Sequence, residues 1–83
     1  MVQKIGEPVS VFFICFLDRV IPKTVVWKNR PYPITKIGLH HTYRTGNTLY
    51  HVFSVVSHSL FFRLILNTTN LKWKLDQISD GLS

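Results

Sequence analysis

Apolar and polar residues alternate most regularly between Leu60 and Leu75, and the alternation predicts a β-hairpin. Phe62, Leu64 and Leu66 are spaced by Arg63 and Ile65; after Asn67-Thr68-Thr69-Asn70, Leu71, Trp73 and Leu75 are spaced by Lys72 and Lys74. Side chains on a strand point alternately to its two faces. A four-residue loop at Asn67–Asn70 therefore pairs Leu66 with Leu71, Leu64 with Trp73 and Phe62 with Leu75 on one wholly apolar face. The other face then sets Arg63 directly across from Lys74, an unfavourable like-charge pair that something must offset.

The same period extends upstream. Val9–Leu17 (VSVFFICFL) is β-branched and aromatic at both even and odd positions, the pattern of a strand buried on both faces. One face is expected on the core and the other under a partner subunit or the N-terminal segment. Met1–Pro8 reads as a loose arm, because Gly6 and Pro8 oppose regular structure, and Asp18–Pro22 as a turn. Lys23–Ile37 reads as a second hairpin. A loop at Asn29-Arg30 would put prolines at donor positions, so a four-residue loop at Lys28–Pro31 is expected, with Trp27 across from Tyr32 and Val25 across from Ile34. Leu39–Val56 reads as a third hairpin. An odd loop, Arg44-Thr45-Gly46, would merge Leu39, His41 and Tyr43 with Leu49, His51, Phe53 and Val55 on one apolar face. Asp76–Ser83 is expected to fray or to make a short helical turn.

These elements predict one all-β domain over residues 9–80, with an arm at 1–8 and a tail at 81–83. The architecture expected is a small antiparallel β-barrel or roll of about six to seven strands with little or no helix. Its core should include Val11, Phe13, Val25, Trp27, Tyr32, Ile34, Phe53, Val55, Phe62, Leu64, Trp73 and Leu75.

Charge adds a preference among partners. The 83 residues hold ten Lys and Arg against four Asp and Glu, a net charge of +6, which favours nucleic acid or another anionic surface. Arg63, Lys72 and Lys74 share the solvent face of the Leu60–Leu75 hairpin, with Phe61 and Ile65 interleaved. Cations around an exposed ring suit single-stranded DNA or RNA, the charges holding phosphate and the ring stacking on bases. Lys28, Arg30, Lys36 and Arg44 would extend that surface from neighbouring loops. The plainer reading is a solvated sheet face, with the arm over Phe61 and Asp76 diagonal to Arg63.

The remaining chemistry is sparse. Cys15 is the one cysteine, so no intrachain disulfide forms; it reads as a small buried hydrophobe in a reducing, cytoplasmic protein. Nine apolar residues are too few to span a membrane as a helix, and no signal peptide is expected. His41 and His51 would share a face, with His40 opposite, but His58 and Asp76 are not placed as further ligands by any zinc spacing, so neither metal nor cofactor is expected. Glu7, Asp18, Asp76 and Asp80 are scattered, and the serines near His51 and His58 suit turns, so no enzyme is predicted.

Pro22-Lys23, Trp27-Lys28-Asn29-Arg30-Pro31-Tyr32-Pro33-Ile34, Phe62-Arg63-Leu64 and Trp73-Lys74-Leu75 together form a pattern. It resembles a group of small uncharacterised bacterial β-domains built on P…W-x-G-R-x-Y-x-V…Y/F-x-L…W-x-L. The resemblance covers about residues 9–80 and implies a bacterial origin and a compact β-domain. Asn29 stands where that group has glycine, and two prolines flank Tyr32. It implies no functional residues. Taken together, the readings favour a non-catalytic binding module that engages nucleic acid through its basic face; the alternative is a homo-oligomeric (homodimeric) or protein-interaction module using Val9–Leu17.

Overall fold

The computed structural model describes residues 2–17 and 19–80; Met1, Asp18 of the expected first turn and the tail 81–83 lie outside the described residues. Seven strands follow one another: β1 (Val2–Phe16), β2 (Arg19–Trp27), β3 (Arg30–Pro33), β4 (Lys36–Thr45), β5 (Thr48–Ser57), β6 (Leu60–Asn67) and β7 (Lys72–Ser79). They form one antiparallel sheet in the order β3-β2-β1-β7-β6-β5-β4, as the all-β expectation requires. No helix among the described residues is long and apolar enough to cross a membrane.

β1 turns this meander into a roll. Val2–Val9 pair with β7 and Ser10–Phe16 pair with β2, so the first and last strands of the chain are neighbours. The sheet remains open between β3 and β4, which are consecutive in sequence yet form its two edges. Their connection is pinned from both sides: the Ile34 N–H donates to the Lys23 carbonyl (2.9 Å) and the Thr35 N–H to the Val56 carbonyl (2.9 Å).

Two terminal expectations are corrected here. The segment read as a loose arm is strand: Val2, Gln3 and Lys4 pair with Ser79, Ile78 and Gln77, and a bulge between Lys4 and Glu7 absorbs Gly6 at φ +67°. Asp76–Ser79, read as fraying or helical, complete β7 along both β1 and β6.

The hairpins keep their strands but shift their turns. β2 and β3 join through a two-residue loop, Lys28-Asn29, both at positive φ, rather than the expected loop Lys28–Pro31. Trp27 therefore stands across from Arg30 and Val25 across from Tyr32. The flanking pair of a two-residue loop is hydrogen-bonded and the pattern alternates, so Pro31 and Pro33 both turn toward the open edge, where no donor is required. β4 and β5 join through Gly46-Asn47, with Gly46 at φ +60°, and not through an odd loop. β5 and β6 join through His58-Ser59, whose φ values of +51° and +65° are costly for residues other than glycine or asparagine. Ser59→Gly should relieve that cost, raising stability by about 0.5–1 kcal/mol; a thermal melt displaced upward by a few degrees would show it.

The core lies on the inner face of the roll. Val25, Phe53, Val55, Phe62, Leu64, Leu66, Trp73 and Leu75 form a buried cluster, and Val11, Phe13, Trp27, Tyr32 and Ile34 pack against it. Every residue expected in the core is thus in it or on it. Aromatic contacts stitch the two halves together: Phe13 meets Trp73 edge to face at 5.4 Å, and Tyr32 lies tilted against Phe62 at 5.2 Å. The Trp27 and Trp73 indole N–H groups and the buried Ser57 hydroxyl lack a hydrogen-bond partner among the described residues, so packing alone holds them.

Val9–Leu17 is not buried on both faces. Val9, Val11 and Phe13 pack on the core, whereas Phe12, Ile14, Phe16 and Leu17 are 68%, 49%, 64% and 85% exposed. The segment expected as a cover is itself the start of β1, paired edge to edge with β7. Cys15, expected to be buried, is exposed; it sits across from Val20 near the end of β1.

Candidate nucleic-acid interface

The outer face of β1, β7, β6, β5 and β4 is organised by four cross-strand rows, of which the first runs Val2, Ser79, Phe61, Val56, Lys36. The second runs Lys4, Gln77, Arg63, Ser54; the third Pro8, Lys74, Ile65, Val52, His41; the fourth Lys72, Asn67, Tyr50, Tyr43. Lys4, Lys72, Lys74 and Arg63 stand on β1, β7 and β6 and Lys36 at the start of β4, while the rings of Phe61, Tyr50 and Tyr43 stand on β6, β5 and β4.

This register replaces the expected one in the opening hairpin. The loop is Thr68–Leu71, with Leu71 at φ +58° and its N–H donating to the Asn67 carbonyl (2.8 Å). Asn67 Oδ1 accepts from the Thr69 N–H and Asn70 Oδ1 from the Lys72 N–H, so both asparagines serve the turn. Leu66 pairs with Trp73, Leu64 with Leu75 and Phe62 with Ile78, not with Leu71, Trp73 and Leu75. A bulge inserts Asp76 beside Arg63, which now faces Gln77, while Lys74 faces Ile65. The expected clash of Arg63 with Lys74 does not exist. Arg63 Nε instead lies 3.6 Å from an Asp76 carboxylate oxygen, a partly exposed pair worth about 0–1 kcal/mol.

Two shallow depressions open on this face. One, of about 310 Å³, is lined by Leu39, His41, Phe61, Arg63 and Gln77. The other, of about 320 Å³, is lined by Pro8, Tyr50, Ile65, Lys72 and Lys74. Phe61 and Arg63 border the first depression and Lys72 and Lys74 the second, so these four residues share the outer face but fall in two separate depressions. Lys28 borders a further depression that shares Pro8, and its ammonium sits 4.8 Å from the Trp27 ring centroid. Arg30 is not brought to the face: it stands across from Trp27, whose ring packs toward the core. Arg44 likewise pairs with Leu49 on the inner side, whereas Lys36, across from Val56 and in the same row as Phe61, does stand on the outer face at the start of β4.

Three contributors to the face are not among the residues that the sequence pattern singles out. Lys4 falls in the expected arm. Tyr43 and Tyr50 stack at 4.9 Å with 14° between ring planes; an odd loop would put them on different faces, although the Gly46-Asn47 dipeptide carries the signal for a two-residue turn.

The histidines are corrected as well. His40, not His41, meets His51: His40 Nε2 and His51 Nδ1 are 2.7 Å apart on the inner face, and His40 stacks on Phe53 at 4.2 Å. The bulge at Gly38-Leu39 and the even loop exchange the two faces of β4. Among the described residues no group of three or more His, Cys, Asp or Glu side chains could hold a metal ion. Burial first, and the neighbouring His40 second, hold the His51 imidazole below the ordinary value of 6.5. A histidine whose folded value is depressed takes up its proton more readily when unfolded. Its contribution is therefore complete above about pH 6.5 and lost as pH falls through the folded value. Denaturation midpoints should drop as pH falls below about 6.5, and His51→Gln should flatten that slope; an unchanged slope would remove His51 as its source.

In comparisons with family models, curated proteins and solved structures nothing matches this chain, so what it does has to be read from its own geometry.

Proposed function

We propose that the chain is a non-catalytic binding module that holds single-stranded nucleic acid on its outer sheet face. The observation that carries this reading is that cations and exposed rings share that face. Lys4, Lys72, Lys74 and Arg63 lie along β1, β7 and β6, with exposed Phe61 and Tyr43 and half-buried Tyr50 beside them. Phosphates would follow the cations and bases would stack on the rings, a division of labour that needs no sequence-specific contact. The net charge of +6 supports it by drawing polyanions in. Fluorescence anisotropy with short DNA and RNA oligonucleotides at two salt concentrations tests it. Binding that weakens steeply with salt is expected; no binding at low salt, or binding indifferent to salt, overturns it.

A second reading is favoured by a different surface. Phe12, Ile14, Phe16 and Leu17 form an exposed apolar stripe at the β2-paired end of β1, which suits a protein partner. Under that reading, Phe12→Asp with Ile14→Asp abolishes association and leaves oligonucleotide binding intact.

A further inference from the structure

We propose that two copies of this chain pair through β4, edge to edge and antiparallel, about a two-fold axis at His41. β4 is ten residues long, exposed along its whole length and unpaired on one side. Its outward-facing backbone groups follow from the ladder. Leu49 turns its carbonyl toward β6, where it accepts from Thr68 (3.1 Å). Its cross-strand neighbour Arg44 therefore points away from β5, and so do Thr42 and His40. These three residues present free N–H and C=O groups in a row.

Natural sheets blunt such edges with short strands, prolines, charges and bulges, and this one does so more fully at β3 than at β4. β3 has four residues and shows solvent two prolines. β4 has no proline and no acidic residue, and its bulge lies at one end, at Gly38-Leu39. The strand is also complementary to itself. With the axis at His41, the backbone of His40 exchanges hydrogen bonds with Thr42 of the second copy. Leu39, an exposed apolar side chain, meets exposed Tyr43 of the second copy as a close non-hydrogen-bonded pair. Arg44 then lies opposite the uncharged Gly38-Leu39 bulge, where the regular register ends, and Lys36 lies beyond the paired span, so no like charges oppose. An axis one residue on, at Thr42, would set His40 against Arg44 and leave Leu39 against Thr45.

The surface area argues for a second copy in the same direction. The chain exposes 5738 Å² at 9.7 kDa, where a folded monomer of that mass is expected to expose about 5,100 Å². The excess includes exposed Leu39 and Tyr43 of β4 as well as Phe12, Ile14, Phe16 and Leu17 of the β1 end.

Light scattering or sedimentation across ~10–500 µM tests the pairing. Wild type is expected to approach twice 9.7 kDa. Thr42→Pro removes an outward N–H and leaves the β5 ladder untouched; it should hold the chain at monomer mass with its far-UV spectrum preserved. His41→Cys in a Cys15→Ser background should oxidise to a covalent dimer, because facing non-hydrogen-bonded residues stand about 4.5 Å apart at Cα. That result decides the matter even if Thr42→Pro fails to fold. A strictly monomeric wild type, a Thr42→Pro dimer, or failure of His41→Cys to cross-link overturns the proposal. So does a dimer that Phe12→Asp with Ile14→Asp dissolves, since the association would then lie on the β1 face.

Discussion

Truncating Phe62 to alanine is expected to cost about 3–5 kcal/mol, while Phe61→Ala one residue away should cost well under about 1 kcal/mol. The two rings have the same chemistry and opposite surroundings. Phe62 is 1% exposed, lies between Val55 and Ile78 on the inner face, and touches Tyr32 from β3. Phe61 is 45% exposed on the outer face. Removing the Phe62 ring forfeits its transfer energy and leaves a cavity where β3 is held over β6. A domain of this size has only about 4–12 kcal/mol of stability in total, so Phe62→Ala should forfeit at least a quarter of it. Urea denaturation followed by tryptophan fluorescence measures both variants. Equal losses for the two would mean that the faces of β6 are wrongly assigned.

That contrast also marks what can be read from residue order. Alternation has a period of two, and it fixes which side chains share a face but not which residue they oppose. In the β6–β7 hairpin the pairing is displaced by two residues, so Phe62, Leu64 and Leu66 still share a buried face with Trp73 and Leu75. The β2–β3 hairpin behaves alike: its loop differs, and Val25, Trp27 and Tyr32 still reach the core. In the β4–β5 hairpin the displacement is odd, and an odd displacement exchanges the faces. The pattern misleads there because Leu39, His41 and Tyr43 suggest a stripe that must meet the core. β4 is an edge beyond the core's reach, where apolar residues need not be buried. Bulges are the other blind spot. Nothing in the order of residues marks Asp76 as the extra residue of β7, yet that insertion removes the Arg63–Lys74 opposition and gives Arg63 an acidic neighbour. The candidate face is therefore legible as a set of residues, whereas its charge balance depends on a register that pattern alone leaves open.

Because Arg63 has that neighbour, the cations of the outer face should contribute unequally to nucleic-acid binding, and the inequality gives the sharpest test of the proposed function. Lys72→Glu with Lys74→Glu is expected to weaken oligonucleotide binding by at least ~10-fold at low salt. It should also flatten the slope of log K against log salt by about 1.4, since each single-strand phosphate neutralised by a lysine contributes ~0.7. Both lysines are exposed and neither joins an ion pair with Asp76, so folding should be unaffected within about 0.5 kcal/mol. Arg63→Ala should weaken binding less, since its guanidinium already faces the Asp76 carboxylate. Asp76→Asn, which releases that guanidinium, should tighten binding. Tyr50→Ala should act differently again: loss of a stacking partner lowers affinity at every salt concentration and leaves the slope unchanged. Arg30→Ala, across from inward-packed Trp27, should do nothing, whereas Lys28→Ala beside Pro8 should show a small salt-dependent loss. If the lysine reversals leave both affinity and slope untouched, polyanions are not held on this face, and the apolar stripe of Phe12, Ile14 and Phe16 becomes the surface to pursue.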